Sequence, residues 1–553
     1  MTRKVWFRLG AVYLALALFL CFPAPFSGEL IGNPDIDVWN HAWGYFYWFE
    51  HLSQGIMPWN TELVFGPEGG VLYFVDPLGA LASLPFTALF GVGFAYNLVQ
   101  ISRFFFAGLV SHLLCKEVTG DGAHCWAAGV AYASTPYLLA EQGNGISEVG
   151  AVGWIPLVFW MAYRAFQSNK RRDWMLLGLA QGLCSVASFY YGLTTALLVG
   201  GWWLFAFRKE RILGSLFAGV IAALLAVPVF AIFRASLWPN NPRGVIRRSA
   251  DLNEELLAHN AVDPREFFMP GDFQSVDLME QYGEAFVHTA YLRLSALFLA
   301  GWACWKVGKA VRPWVMMALV SLVLALGSVL WWDGNFIGPG ERRVLLPFGW
   351  LQEILPQLAI THSSRLSIGA QAIVALLVGW SLVGRSRRLI GGVCVALIAE
   401  TLLFSSVQWP LPMASMEVPP IYTSIGESSD KRGVLDLPAE VGTTMASSQY
   451  FWFQTQHKKP VPYGPDARSE SSADPLIFRW LLYGSWPKDK RIPSARSDGM
   501  DDQVIAHLRA RYGWIVLHEN LADRAGLKAV LQRRLRDLLG PPQVEDGLFY
   551  WRL

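Results

Sequence analysis

The chain has 553 residues, of which 53% are hydrophobic and only 16% are charged. A soluble protein carries about 25% charged residues, so this composition predicts an α-helical polytopic membrane protein. The formal net charge of +2 gives no global field that would attract nucleic acid, and no nucleic-acid partner is expected.

Eleven apolar segments are predicted to cross the membrane, because each approaches the roughly 20 residues that a helical span requires. Basic residues collect in short loops, and placing these loops in the cytoplasm gives one consistent topology with a cytoplasmic N-terminus. The first segment is interpreted as a retained signal anchor, with a cleaved signal peptide as the alternative. The predicted spans are residues 5–23, 98–115, 122–140, 149–166, 173–189, 191–207, 212–234, 289–306, 313–332, 366–384 and 388–406.

This topology divides the chain into a transmembrane domain, residues 1–408, and an extracytoplasmic domain, residues 409–553, in the periplasm or at the cell exterior. The predicted outer loops are residues 25–97, 141–148, 235–287 and 333–365. The apolar stretch 77–95 in the first loop is predicted to be a re-entrant or interfacial helix. A full crossing there would move every later basic loop to the outside.

The C-terminal region changes character after a Pro-rich linker and alternates short β-type runs with polar helical runs. A buried strand is expected at residues 433–438 and a second at 514–518, and the last strand is expected at 549–551. Helices are predicted at residues 500–512 and 520–539. This alternation predicts a small α/β domain.

Two aspartates, Asp35 and Asp37, lie near the start of the first outer loop. They precede an aromatic helix that is predicted to reach about residue 53 and to lie in the membrane interface. His41 follows Asp37 by one helical turn on the same face, and Trp39 lies on another face. Asp is a preferred N-cap residue, so both carboxylates are possible caps or turn formers. The alternative is that one of them acts as a general base or metal ligand towards a lipid-borne substrate.

Other candidates lie in later outer segments. Glu148 ends the second outer loop, where it is either an acidic group beside the first loop or part of a polar turn. Tyr190 and Tyr191 join two spans at the outer surface, where they either stack on a sugar or belong to an aromatic belt. Glu400 is an ionisable group inside the last span, which makes it a functional candidate or the partner of a nearby Arg or Ser.

Two candidate phosphate ligands, His362 and Arg365, come just before the tenth predicted span. A guanidinium at the outer end of a span suits a lipid phosphate, because Arg binds phosphate oxygens through two parallel hydrogen bonds. A lipid headgroup anchor or an intramolecular ion pair is the alternative.

The six cysteines all fall within or beside apolar spans, which argues against a disulfide framework and a Cys-based metal site. The sequence contains no phosphate-binding Gly loop of the Walker type, no metalloprotease helix, no nucleophile elbow and no Cys/His pair at the usual zinc spacing. ATP-driven transport and membrane proteolysis therefore lose support.

Several segments resemble the glycosyltransferase-C (GT-C) superfamily, and a set of uncharacterised bacterial GT-C-like membrane proteins within it. These segments read AYNLVQISR, STPYLLAEQGNGISEVGAVGWIPL, SFYYG, DPREFFMPG, LALGS, THSSRL, VLDLP and QTQHKKPVPYG. Such proteins have an acidic motif early in a large first outer loop and take sugars from polyprenyl-phosphate carriers at the outer face. The resemblance covers nearly the whole chain, and it leaves open which of Asp35 and Asp37 matches the catalytic residue.

The resemblance implies an inverting glycosyltransferase that moves a sugar from a polyprenyl-phosphate donor to an envelope glycan or lipid acceptor. No cofactor is required by this reading, although a divalent metal, Mg²⁺ or Mn²⁺, is possible. The expected catalytic residues are Asp35, Asp37 and Glu148. The expected phosphate ligands are Arg365, His362 and Arg103, at the outer start of the second span. The expected substrate-lining residues are Trp39, His41, Tyr190, Tyr191 and Glu400. The alternatives are a non-catalytic GT-C-like scaffold and a component of envelope polysaccharide export.

Overall fold

The computed structural model describes most of the chain. The described residues are 3–238, 240–247, 260–270, 286–333, 335–338, 344–355, 360–439, 448–464, 474, 477–478, 480–481 and 500–553. Parts of the predicted outer loops 235–287 and 333–365 lie outside them.

The described residues up to 404 form a helical bundle, and each predicted span coincides with a helix or a broken pair of helices. The helices are α1 Arg3–Leu20, α2 Ala24–Ser27, α3 Val38–Ser53, α4 Pro77–Phe90, α5 Val92–Thr119, α6 His124–Ala133, α7 Pro136–Gly143, α8 Trp154–Ser168, α9 Arg171–Ala187, α10 Phe189–Phe205, α11 Ile212–Ser236, α12 Leu294–Val307, α13 Arg312–Ala325, α14 Pro347–Ile354, α15 Ile368–Ser381 and α16 Arg387–Phe404. Short 3₁₀ helices lie at Glu148–Gly153, Lys209–Arg211, Pro264–Phe267, Gly308–Val311 and Ser363–Ser367.

Five helical stretches of the described chain are long and apolar enough to cross a membrane. They are Val92–Thr119, Glu148–Ser168, Lys209–Ser236, Leu294–Ala325 and Ser363–Ser381. Their burial differs with position in the bundle. The apolar window of Ser363–Ser381 is 89% buried by protein, whereas that of Lys209–Ser236 is 6% buried. The first is therefore a central helix, and the second exposes its apolar surface, as a lipid-facing helix does.

Two of the predicted elements are broken by identifiable residues. The third predicted span divides between α6 and α7, where Pro136 opens α7 and the Thr135 side chain accepts a hydrogen bond of 3.3 Å from the Leu138 amide. The predicted re-entrant helix ends at Gly91, whose φ of 85° separates α4 from α5. Gly adopts such positive φ values without the steric cost that other residues incur.

The aromatic helix α3 has the predicted extent. Its large side chains, including Trp43, Tyr45, Phe46 and Tyr47, are buried by protein. It packs against α4, α5 and a helix of the C-terminal domain. The aromatic side chains of α3 are therefore covered by protein, and its position in the membrane interface stays a prediction.

The C-terminal region contains a four-stranded mixed sheet in the order β11-β12-β10-β9. Its strands are β9 Gly433–Leu437, β10 Tyr512–His518, β11 Gln543–Glu545 and β12 Leu548–Arg552. Its helices are α17 Pro420–Glu427, α18 Gln449–His457, α19 Met500–Arg511, α20 Glu519–Arg524 and α21 Lys528–Leu539. Strands β9 and β10 are parallel and fully buried, as their continuous apolar runs predict. The predicted helix at 520–539 is two helices, separated at Gly526, whose φ is 65°.

Small two-stranded pairings complete the fold. These strands are β1 Leu30–Ile31, β2 Asn60–Thr61, β3 Gly70–Val71, β4 Leu237–Trp238, β5 Ile246–Arg247, β6 Trp331–Trp332, β7 Asn335–Phe336 and β8 Met413–Ala414. The pair β1–β8 joins the first outer loop to the linker before the C-terminal domain.

The C-terminal domain is attached to the first outer loop by buried polar bonds. The Trp43 indole donates to Gln454 Oε1 at 2.7 Å, and the Gln454 amide donates to the Leu63 carbonyl at 2.6 Å. At the edge of the contact, Lys458 Nζ forms an ion pair with Glu50 Oε2 at 2.8 Å. The first outer loop and the C-terminal domain therefore pack together directly.

Candidate functional site

The candidate site is a group of polar residues gathered from four separate segments: His41, Glu148 and Arg365 are buried, and Tyr190 and His362 are half-buried. His41 lies on α3, Glu148 and Arg365 lie on 3₁₀ helices that precede long apolar helices, and Tyr190 lies in the first turn of α10. The fold thus brings together the starts of several helices, where unpaired backbone amides favour an anionic ligand.

His41 occupies the centre of this group. Its Nδ1 shares a hydrogen bond with Ser147 Oγ at 2.9 Å and lies 3.6 Å from Glu148 Oε2. Burial lowers the pKa of His41 to about 4, although the charges of Asp37 and Asp76 act in the opposite direction. The imidazole is therefore neutral near pH 7.

Glu148 and Arg365 form an ion pair, although they are 217 positions apart in the sequence. Glu148 Oε1 accepts a hydrogen bond of 3.4 Å from Arg365 Nη1. Glu148 Oε2 and Arg365 Nε are both buried without a hydrogen-bond partner. A guanidinium offers five N–H donors, and burying them unpaired costs free energy. The pair therefore has spare donor and acceptor capacity for a polar ligand.

The aromatic side of the site is formed by Tyr190. Its ring lies under the guanidinium of Arg365, with 4.8 Å between Cζ and the ring centroid. Its hydroxyl shares a hydrogen bond of 3.2 Å with His362 Nδ1, which is also 2.8 Å from Thr361 Oγ1. A cation over an aromatic face is fixed in orientation as well as stabilised, so Tyr190 holds Arg365 in place.

A second buried carboxylate, Glu141, lies on α7 near this group. Its Oε1 is 3.3 Å from Nδ1 of His288, and its Oε2 has no hydrogen-bond partner. The side-chain amide of the neighbouring Asn144 donates to the Val287 carbonyl at 3.0 Å and accepts from the Val287 amide at 2.9 Å, which fixes the returning segment beside α7. His288 was not singled out from the sequence, because only the fold brings residue 288 beside residue 141.

Arg103 is held by protein groups rather than presented to a ligand. Its guanidinium forms a short ion pair with Asp76 and donates to Gln100 Oε1 at 3.1 Å. Asp76 also accepts from the Tyr45 hydroxyl at 2.6 Å and caps α4 by accepting from the Gly79 amide at 3.1 Å. Asp76 was missed in the sequence, although an Asp immediately before Pro77 is a usual helix start.

The two aspartates of the first loop have different environments. The Asp35 carboxylate is partly exposed and pairs with Arg524 of the C-terminal domain at 3.0 Å. Asp37 stands at the N-cap position of α3, but its side chain makes no capping hydrogen bond to the helix amides. Its charge acts on His41, one turn along the helix. Asp37 is therefore the aspartate on the side of the candidate site.

Three of the predicted substrate-lining residues have structural contacts instead. Trp39 is buried, donates to the Pro34 carbonyl at 2.8 Å and packs on Trp452. Tyr191 is fully buried and donates to the Val149 carbonyl. Glu400 caps α12, accepting from the Leu294 amide and the Tyr291 hydroxyl, both at 2.6 Å. These contacts occupy the polar atoms that would otherwise meet a substrate.

Among the described residues, one group of side chains is close enough to hold a metal ion: Cys115, His124 and Cys125. Within the same part of the chain, the carboxylates near His41 do not form such a group. The residues present at the candidate site thus do not fit a divalent ion held by the protein alone. Mg²⁺ or Mn²⁺ at this site stays a prediction.

Neither a protein-family model nor a curated protein matches the chain. Solved structures do match its fold. The oligosaccharyltransferase of Archaeoglobus fulgidus, tethered to an acceptor peptide, aligns with a TM-score of 0.54 and 12% identity over 96% of this chain and 72% of its own. ArnT from Cupriavidus metallidurans, bound to undecaprenyl phosphate, aligns with a TM-score of 0.50 and 11% identity over 99% of this chain and 98% of its own.

The mycobacterial arabinofuranosyltransferase AftD aligns with a TM-score of 0.52 and 14% identity, over 94% of this chain and 37% of its own. All three are GT-C superfamily glycosyltransferases. The chain therefore has the GT-C fold, a polytopic helical membrane domain followed by a small C-terminal sheet domain, and this part of the prediction is confirmed. At these identities the likeness establishes the fold alone.

Proposed function

We propose that the chain is a membrane glycosyltransferase that takes a sugar from a polyprenyl-phosphate donor and transfers it to an envelope glycan or lipid acceptor. The observation that carries the proposal is the buried pair Glu148–Arg365, in which Arg365 Nε and Glu148 Oε2 have no hydrogen-bond partner. The GT-C fold supports the same reading, since two structures of similar fold hold such lipids: ArnT is bound to undecaprenyl phosphate, and the Archaeoglobus fulgidus oligosaccharyltransferase AglB is in complex with a dolichol phosphate.

The donor phosphate would bind Arg365, because a buried guanidinium with one described hydrogen bond has donors left for phosphate oxygens. Tyr190 would keep the guanidinium oriented during this contact. Arg103 is not proposed as a phosphate ligand, since its donors are already directed at Asp76 and Gln100.

The acceptor hydroxyl would be deprotonated by Asp37 as it attacks the anomeric carbon of the sugar. The bond between that carbon and the phosphate oxygen breaks, and the lipid phosphate leaves with its added negative charge next to Arg365. Glu148 Oε2 would accept a hydrogen bond from a hydroxyl of the sugar. Attack from the side opposite the phosphate inverts the anomeric centre. The neutral His41 lies 3.6 Å from Glu148 Oε2 and one helical turn after Asp37.

The test is binding of undecaprenyl phosphate to the purified chain, followed by a glycan assay in cells that lack the native copy. Arg365→Gln should weaken binding roughly ten- to hundredfold, because a charge-assisted hydrogen bond contributes about 1.5–3 kcal/mol. Arg385→Gln is the matched control, since Arg385 is exposed just beyond the other end of α15. Asp37→Asn should keep lipid binding but abolish glycan transfer.

Two outcomes would contradict the proposal. If Arg365→Gln binds the lipid phosphate with unchanged affinity, Arg365 is not its ligand. Normal binding with normal glycan in both Asp37→Asn and Glu148→Gln would favour the non-catalytic scaffold or export component.

A further inference from the structure

A second cluster of reactive side chains lies near the C-terminal end of α5, away from Arg103 in the middle of this helix. Cys115 is in the last turn of α5, about 18 Å along the helix at 1.5 Å per residue. His124 and Cys125 are the first two residues of α6. The connecting turn brings the three side chains together, with ligand atoms within 4.8 Å of one another.

All three members are shielded from solvent. Cys115 and Cys125 have no exposed surface, and His124 is 6% exposed. Cys115 Sγ is 3.6 Å from Thr119 Oγ1, and Cys125 Sγ is 3.6 Å from the Gly120 carbonyl. Cys125 is also a side-chain hydrogen-bond partner of both Cys115 and His124. A bound ion would replace these weak thiol hydrogen bonds with metal–sulfur bonds of about 2.3 Å.

Thr119 determines which ring nitrogen of His124 carries the proton. Its hydroxyl donates to the Cys115 carbonyl at 2.7 Å, so it accepts from His124 Nε2 at 2.8 Å. The ring proton then lies on Nε2, and Nδ1 keeps its lone pair. A ring N–H held by a neighbouring oxygen is the usual arrangement around a metal-bound histidine. Gly122 leaves the space beside Nδ1 open, because a Cβ at residue 122 would lie 2.6 Å from this nitrogen.

We propose that Cys115, His124 and Cys125 form a binding site for a thiophilic metal ion of the Zn²⁺ or Cu⁺ type. Two thiolates and one imidazole are the soft donor set that these ions prefer. Binding of Zn²⁺ would release the two thiol protons, so the buried site would stay neutral. The positive end of the α6 dipole would help to stabilise the Cys125 thiolate. The ion would join the ends of α5 and α6, whose continuations carry Arg103 and, through α7, Glu141.

This site escaped the sequence analysis because its spacing matches no common zinc motif. Cys115 precedes the adjacent pair His124 and Cys125 by nine and ten residues, with a helix end between them. The other four cysteines of the chain lie outside this group, and among them Cys184 is buried beside Thr195 at 3.8 Å. Cys184 is therefore a matched control of similar burial.

The experiment uses the full-length chain purified in detergent without chelator and incubated with Zn²⁺, or with Cu⁺ under reducing conditions. Elemental analysis after desalting should find about one ion per chain for the unaltered protein and for Cys184→Ser. Cys115→Ser and Cys125→Ser should each lose this ion and remain monodisperse. His124→Gln tests the third ligand if a Cys variant does not fold. A chelator added to the metal-loaded protein should lower the melting temperature of the unaltered protein but not that of Cys125→Ser.

The proposal is overturned if neither ion is retained above the level of Cys125→Ser. It is equally overturned if the intact mass shows a Cys115–Cys125 disulfide in place of bound metal. Because the readouts are metal content and thermal stability, they do not depend on the proposed transferase activity.

Discussion

Breaking the buried pair Asp76–Arg103 tests whether Arg103 is a structural residue or a phosphate ligand. Both side chains are at least 90% buried, so removing one charge strands the other in a medium of low polarity. The cost of such a loss is about 3–5 kcal/mol. Asp76→Asn is the informative change at the first position, because Asn still accepts the capping bond from Gly79 that Asp76 accepts at 3.1 Å.

We expect Asp76→Asn and Arg103→Met each to lower the free energy of unfolding by about 3 kcal/mol or more. The double variant should lose clearly less free energy of unfolding than the two single variants lose together, and the difference, which is the coupling energy, should be about 1–3 kcal/mol. The assay is thermal or denaturant unfolding in detergent, with Arg385→Met as the exposed control. The reasoning is refuted if Arg103→Met keeps full stability yet loses binding of undecaprenyl phosphate, since Arg103 would then serve the ligand.

Two further predictions follow from close packing and from burial of a neutral histidine. Gly79→Ala should strongly lower the melting temperature, because its Cβ would lie 2.2 Å from Asp76 Oδ2 and 2.4 Å from the Tyr45 hydroxyl. Gly391→Ala is the control: no atom lies within 4 Å of its Cβ, so its melting temperature should not fall. Burial lowers the pKa of His457 to about 4, so the unfolded chain binds a proton at this residue more readily than the folded chain does. The free energy of unfolding should therefore reach its full value above about pH 6.5 and should fall as the pH drops towards 4. A flatter decline in His457→Gln would support this, and an unchanged decline would contradict it.

Most of the fold follows from local patterns in the sequence. Long apolar runs predict the helices of the bundle, and the β-type runs at 433–438 and 514–518 predict two strands, which the structure pairs in parallel. The surroundings of α3 were not predictable in this way. Its dense aromatic residues are equally typical of a membrane interface and of a core, and only the structure shows the C-terminal domain docked against them.

The candidate site was predictable in its residue types but not in its pairings. Glu148 was singled out because its predicted loop lies beside the first outer loop, and His362 and Arg365 because they precede a predicted span at its outer end. Their roles stay predictions. Their partners were not found, because the pair Glu148–Arg365 joins residues 217 positions apart. The Asp76–Arg103 pair was missed for the same reason, and so Arg103 was expected to bind phosphate.

The attachment of the C-terminal domain depends on aromatic burial rather than on its ion pairs. The Asp35–Arg524 pair is 36% and 46% exposed, and such surface pairs contribute about 1 kcal/mol or less. Each large apolar side chain buried at the contact contributes about 1.5–3 kcal/mol, and Trp39 and Trp43 are both buried there. Since α3 also carries His41 and begins just after Asp37, removing the C-terminal domain would expose the helix that positions these groups. The domain therefore supports the candidate site mechanically, and this role does not require it to bind a substrate.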